Sequence, residues 1–196
     1  MLATVFVVIA AILCAAALLA LLRIAYLRLS GPDAIERDGL ARGQLAPAWR
    51  LTDSAGQHHS SPPGRSSPPG RPLQLVVFAD HSLKSFPSVV TGLRALHGDE
   101  DLEIVILTRG PARPVEPVLA QLGLAAIPVL QGSPAAYARY NVRVMPFAIF
   151  VDAVGRVRAS SLVNHDWQLA KLRQVAAIPL AADEVRAGRR PLATAG

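Results

Sequence analysis

Asp80, His81, Ser82 and Ser85 bring an acid, an imidazole and two hydroxyls into one short polar stretch. Such a set suggests nucleophilic hydrolysis, with the histidine taking the serine proton and the carboxylate orienting the ring. Neighbours in sequence rarely point at one another, and no Gly-x-Ser-x-Gly elbow surrounds Ser82. The stretch therefore reads as a polar loop capping a helix that begins near Ser82 or Ser85. A hydroxyl is hardly ionised at neutral pH without a dedicated base, and it forms no disulfide. Cys14 is the only cysteine, so an intrachain disulfide is ruled out. His58, His59, His81, His97 and His165 show no paired metal spacing. No catalytic residue, metal or cofactor is assigned.

The elements around this loop follow from hydrophobic pattern. Leu73 to Phe78 is a continuous apolar run broken only by Gln74, the mark of a central strand covered on both faces. Val89, Val90, Leu93 and Leu96 then recur at helical spacing over Phe86 to Leu96, and Gly98-Asp99 ends the helix. Leu102 to Leu107 is a second buried strand, Val115 to Leu122 a short helix, Ile127 to Leu130 an edge strand and Pro134 to Tyr140 a helix. Tyr137 and Tyr140 read as packing residues of that helix. Phe147 to Val151 and Val157 to Ser160 form a hairpin around Asp152-Ala153-Val154-Gly155. His165 to Val175 closes the domain as a helix, with Trp167 or Leu169 and Leu172 facing inward. Ahead of all these, Gly43 to Gly56 holds a short strand with Trp49 and Leu51 on one face, ended by a turn. Strand–helix–strand–helix, then a hairpin and a helix, predicts an α/β sandwich around a mixed sheet.

Residues 1–22 are apolar and uncharged. At 1.5 Å per residue they cover about 33 Å, the thickness of a bilayer core. With no basic residue ahead of the run, an uncleaved single-pass anchor is the expectation, and the lipid bilayer is one partner. Residues 23–42 form a juxtamembrane segment, 43–178 the domain and 179–196 a disordered tail. Within the domain, 57–72 is a Pro/Ser/Gly-rich loop containing a perfect duplication, Ser60 to Arg65 and Ser66 to Arg71. The net charge is +6, but the arginines are scattered and form no dense basic run, which argues against nucleic acid and fits a domain beside an anionic membrane.

Three stretches resemble the redoxin branch of thioredoxin-like proteins. Gly43 to Gly56, with Ala46-Pro47 ahead of Leu51-Thr52-Asp53, is similar to the leading segment of that branch. Val144-Met145-Pro146 running into Phe147 to Asp152, then Gly155-Arg156-Val157, is similar to its cis-proline strand and hairpin. Ser161-Leu162-Val163-Asn164, together with the N-terminal apolar run, resembles the methylamine-utilisation accessory protein family MauD. The resemblance covers about residues 43–175 and implies a thioredoxin-like fold behind one transmembrane helix. It implies a Cys-x-x-Cys pair shortly after the first central strand, where this chain has Ser82 and Ser85. Thiol–disulfide and thiol-peroxidase activity are therefore not carried over. What it does imply is a binding or maturation accessory factor for another protein, either a polytopic membrane protein or a secreted enzyme. Cis Pro146 would lie beside the loop, so Met145, Pro146, Ala79, Asp80 and His81 are the expected partner surface. The alternative is a thiol–disulfide oxidoreductase or peroxidase-type redoxin using a partner's thiol. Arg23 and Arg28 favour a cytoplasmic domain by the positive-inside rule. The resemblance implies an extracytoplasmic one, which is the expectation adopted.

Overall fold

Leu75 and Val77 face one hydrophobic cluster while Val76 and Phe78 face another, the alternation of a strand covered on both sides. This strand, β3 (Leu73–Phe78), is the centre of the molecule and every one of its residues is buried. The structure, a computed structural model, describes residues 38–62 and 73–188. The expected anchor 1–22, most of the juxtamembrane segment, most of the duplicated loop and the last residues lie outside the described part. Among the described residues, no helix is long and apolar enough to cross a membrane.

The remaining elements are β1 (Trp49–Thr52), β2 (His58–Ser61), α1 (Phe86–Leu96), β4 (Leu102–Thr108), α2 (Glu116–Gln121), β5 (Val129–Gln131), α3 (Pro134–Arg139), β6 (Phe147–Asp152), β7 (Val157–Leu162), α4 (Asp166–Ala177) and α5 (Ala182–Ala187). The five-stranded sheet has the order β5-β4-β3-β6-β7. β3 runs parallel to β4 and antiparallel to β6, so the sheet is mixed. One face packs on α1, α2 and α4 through Val89, Leu93, Leu119, Leu169 and Leu172. Gly92 permits the close approach of α1 to α4, since a Cβ there would stand 2.7 Å from the Asp166 carbonyl oxygen. The other face packs on Tyr137 and Tyr140, with Leu40, Trp49 and Leu51 adding cover.

The apolar elements fall where hydrophobic pattern predicts them, and four details differ. His58–Ser61, expected in the loop, pairs antiparallel with β1, and Trp49 stands opposite Ser61. The expected tail contains α5, whose neighbourhood is pinned by Arg42. Its guanidinium donates to the carbonyls of Val175, Ile178 and Pro179 at 2.6–3.0 Å and pairs with Glu184 at 2.9 Å. Leu169 and Leu172 take the inward positions of α4, whereas Trp167 is 57% exposed. Finally, Ser85 stands at the helix N-cap but its side chain makes no capping bond, because its φ of −83° and ψ of −6° are already helical.

Candidate functional site

Register decides which loops meet. Phe78 pairs with both Leu107 and Phe147, and Phe147 pairs with Leu162. The carboxyl ends of β3, β4 and β7 therefore share one end of the sheet with the amino end of β6. That end gathers the loop after Phe78, the loop after Thr108, the approach to β6 through Met145-Pro146, and Val163. The Met145–Pro146 peptide is cis. The Pro146 carbonyl accepts from Val163 N–H at 3.0 Å, which fixes the approach segment to the end of β7.

In the loop, Asp80 is the organiser. Its Oδ1 accepts from the Ser82 amide at 2.9 Å and from the Ser82 hydroxyl at 2.8 Å, while His81 Nδ1 lies 3.3 Å from the same oxygen. The Ser82 backbone N–H holds the Asp80 carboxyl below the usual range. Burial opposes this, and the Ser82 hydroxyl, His81 and Arg109 add to it. Ser82 thus gives its proton to a carboxylate and not to an imidazole, so the constellation lacks the nucleophile–base contact that hydrolysis needs. His81 and Ser82 are exposed and Ser85 is half-buried.

The expected partner surface needs one correction. Ala79 is wholly buried and belongs to the cluster under α1, and its N–H is spent on the Leu107 carbonyl at 3.1 Å. Its side chain can touch no partner, because the apolar character of β3 continues one residue past the strand. Pro146 is buried too, Met145 is half-buried, and the exposed apolar residue beside them is Val144, at 48%.

Hydrophobic pattern reveals Tyr137 and Tyr140 as packing residues but not what they build. Tyr137 stacks edge-on against Phe78 at 5.1 Å and donates its hydroxyl to the Leu107 carbonyl at 3.1 Å. The Arg109 guanidinium lies over the Tyr137 ring, 5.2 Å from its centre. Burial raises the phenol well above its ordinary range, with Arg109 pulling it down and Asp80 pushing it up. Tyr140 donates to the Pro47 carbonyl at 2.9 Å and receives the Trp49 indole N–H at 3.1 Å, so it ties the leading segment to the sheet. Arg109 was invisible as a site residue because it stands alone in sequence; a lone arginine after a buried strand is the only signal it offers.

A groove of about 340 Å³ lies between the β1–β2 turn and α2, lined by Asp53, Ser54, Glu116, Leu119 and Ile127 among others. Its Asp53 carboxylate is already engaged by the amides of Ala55 and Gln57 and by His59 Nε2 at 2.8–3.0 Å. Among the described residues no group of three acidic, histidine or cysteine side chains is placed to hold a metal ion.

No protein-family model matches the chain, and no curated protein matches its sequence. Solved structures do. A peroxiredoxin-like protein from Aquifex aeolicus is similar with a TM-score of 0.55 and 10% identity, over 71% of this chain and 90% of that one. The thioredoxin domain of a thiol-disulfide oxidoreductase from Bacteroides vulgatus gives 0.50 and 18%, over 67% and 97%. A thiol:disulfide interchange protein from a Bacteroides species gives 0.50 and 17%, over 69% and 90%. At such identities the likeness is one of architecture, and the architecture of this chain is the thioredoxin-like fold.

Proposed function

We propose that this chain is a membrane-anchored thioredoxin-like protein without thiol chemistry of its own, related in role to the MauD accessory proteins, that binds or positions another protein. One observation carries the reading. The loop between β3 and α1 holds the hydroxyls Ser82 and Ser85, and from residue 15 to 196 the chain has no cysteine. Thiol exchange has no nucleophile here. What persists at this end is surface: Val144, Met145, His81 and the backbone around Pro146, suited to contact with an extended segment of a partner. Residues 1–22 serve as the anchor, and the domain lies outside the cytoplasm.

The deciding experiment is affinity capture of the full-length protein from its native membrane, followed by identification of co-purifying chains. Val144→Asp should abolish capture while leaving the fold intact. Deleting Ser66 to Arg71 should leave capture unchanged. If the deletion abolishes capture and Val144→Asp does not, the Pro-rich loop is the binding element. A reporter fused after Gly196 decides topology: activity from a cytoplasm-only reporter places the domain inside.

The solved structures similar in fold include thiol-disulfide oxidoreductases, which keeps a second reading in view: a redoxin working through a partner's thiol. The full-length chain alone should show no disulfide reductase or thiol peroxidase turnover above a buffer blank. Turnover that appears only with an added thiol protein would favour this second reading.

A further inference from the structure

The two edges of the five-stranded sheet are finished differently. Along β7 the leading segment covers the backbone. Gly43 donates its N–H to the Val157 carbonyl at 2.8 Å, the Val157 N–H returns to the Gln44 carbonyl at 2.9 Å, and the Arg42 guanidinium reaches the Arg158 carbonyl at 2.7 Å. β5 is the other edge, and among the described strands it pairs with β4 alone. Ile106, which stands opposite Val129, donates to the Pro128 carbonyl at 3.0 Å, and Gly132 donates to the Thr108 carbonyl at 2.9 Å. In a parallel ladder of that phase, positions 128, 130 and 132 face β4. The N–H and C=O of Val129 and of Gln131 therefore point away from it, and no described residue bonds to them.

This edge is also recessed. The groove of about 340 Å³ is lined by Ser54 and Ala55 from the β1–β2 turn, by Pro117 and Ala120 from α2, and by Pro128 and Val129 at the start of β5. Val129 is 3% exposed, so its two polar groups have the groove and little else to turn to. Buried backbone groups are nearly always paired, and each one left without a partner costs about 1–3 kcal/mol. The charged lining is of one sign, Asp53 and Glu116 with no lysine, arginine or histidine, in a chain of net charge +6. Asp53 is held by its own turn and by His59. Glu116 has no ion pair among the described residues, which leaves it as the charge that attracts.

We propose that the β5 edge takes an extended segment of another protein as a further strand, with a lysine or arginine of that segment beside Glu116. Strand addition gives partners to the N–H and C=O of both Val129 and Gln131, and the small side chains of Ala55 and Ala120 leave room for the incoming one. A second copy of this chain is a poor occupant, because its own β5 is equally recessed between a turn and a helix. The site shares no residue with the surface at Met145–Pro146 and does not rest on the accessory role.

The test selects a library of random peptides of about twelve residues on the immobilised full-length protein. Enriched peptides should carry lysine or arginine. Ala120 is exposed on α2, so Ala120→Arg should leave the melting midpoint unchanged while filling the groove with a charge of the peptides' own sign. Binding read by fluorescence polarisation should then fall at least about tenfold. Glu116→Gln should weaken it about threefold. Gln131→Pro removes one outward N–H while sparing the ladder to β4, and should weaken it about fivefold. By hydrogen exchange, the Val129 and Gln131 amides should be open in the free protein and slow by at least about tenfold with peptide bound, a change that side-chain contact alone does not give. Protection of both amides in the free protein means that the edge is already paired, and overturns the proposal. Binding without protection overturns it too, as does a library that enriches nothing. Peptides that tolerate Ala120→Arg but are lost on Val144→Asp occupy the Met145–Pro146 surface instead. A concentration-dependent dimer that Ala120→Arg dissociates overturns the proposal in favour of a second copy.

Discussion

At the amino end of the sheet, three carboxylates lie within reach of arginines. Asp99 pairs with Arg173 at 2.8 Å, Asp152 stands 3.9 Å from Arg158, and Arg42 closes over the end of α4 with Glu184 behind it. At the carboxyl end, Lys84, Arg109, Arg113 and Arg143 are exposed, and the polar loop is organised by Asp80 within itself. The first end uses its charges to fasten the chain to itself. The second presents its charges on a surface whose support is apolar: Phe78, Ala79, Tyr137 and Phe147. Substitutions of charged residues should therefore cost stability at the amino end and interaction at the carboxyl end.

The largest test of that division strikes the apolar support. Ala79→Arg would bury an unpaired charge at a position with no exposure, and should cost about 4 kcal/mol or more. Val144→Asp, on the same end of the sheet, should change the unfolding free energy measured in urea by no more than about 0.5 kcal/mol. A tolerated Ala79→Arg would mean that the support is looser than the packing shows.

At the amino end, Arg42→Gln removes the bonds to Arg158, Val175, Ile178 and Pro179 and the pair with Glu184. Charge-assisted bonds of this kind put the loss at about 2–3 kcal/mol, with faster hydrogen exchange at the amides of Val185 and Gly188. Arg113→Gln at the other end should cost about 0.5 kcal/mol or less. Equal losses would erase the distinction.

Acid titration gives a smaller effect. Asp80 titrates below its ordinary value for the reasons given above. Asp53 does so as well: burial works to raise it, and the hydrogen bonds from His59 and from the amides of Gln57 and Ala55 outweigh burial. Each carboxyl contributes stability that is fully present above the unfolded value, about 3.9, and is lost as pH falls through the lower folded value. Asp80→Asn should flatten the decline in stability below about pH 4 while costing about 1 kcal/mol at neutral pH. An unchanged acid limb would show that Asp80 does not organise the loop.

The smallest effect is the most specific. Ser82→Cys with Ser85→Cys should alter stability by no more than about 0.5 kcal/mol and should form an intramolecular disulfide under mild oxidant, read as the loss of two hydrogens by mass. Two thiols that stay reactive would show that the loop does not hold the pair within disulfide reach.

Much of the fold was legible because β3, β4 and β6 are continuous apolar runs and α1 carries its apolar residues at helical spacing. β2 was not, because His58-His59-Ser60-Ser61 has no apolar alternation. It is a strand by virtue of its pairing with β1 and of the Gln74 side-chain bond to the Ser60 carbonyl at 2.8 Å. α5 escaped for a similar reason: none of its residues is buried, and its neighbourhood is held by Arg42, far away in the chain. Pattern left Trp167 and Leu169 open as alternatives because both are large and apolar at helical positions; Leu169 is the buried one, and the Trp167 ring stacks on His165 at 6.3 Å on the surface.

Sequence alone determined that no thiol exists beyond Cys14 and that the β3–α1 loop carries hydroxyls in place of a disulfide pair, since composition is covalent and no folding alters it. It also determined the buried strands, because a run of apolar residues has nowhere else to go. Only the tertiary structure decided that Ala79 lies inside while Val144 lies outside. Only the tertiary structure, too, brought four cations separated by up to 59 positions, Lys84 to Arg143, to one end of the sheet. The reason is register: the pairing of Phe78 with Leu107 and Phe147 is set by long-range packing, and it decides which loops meet.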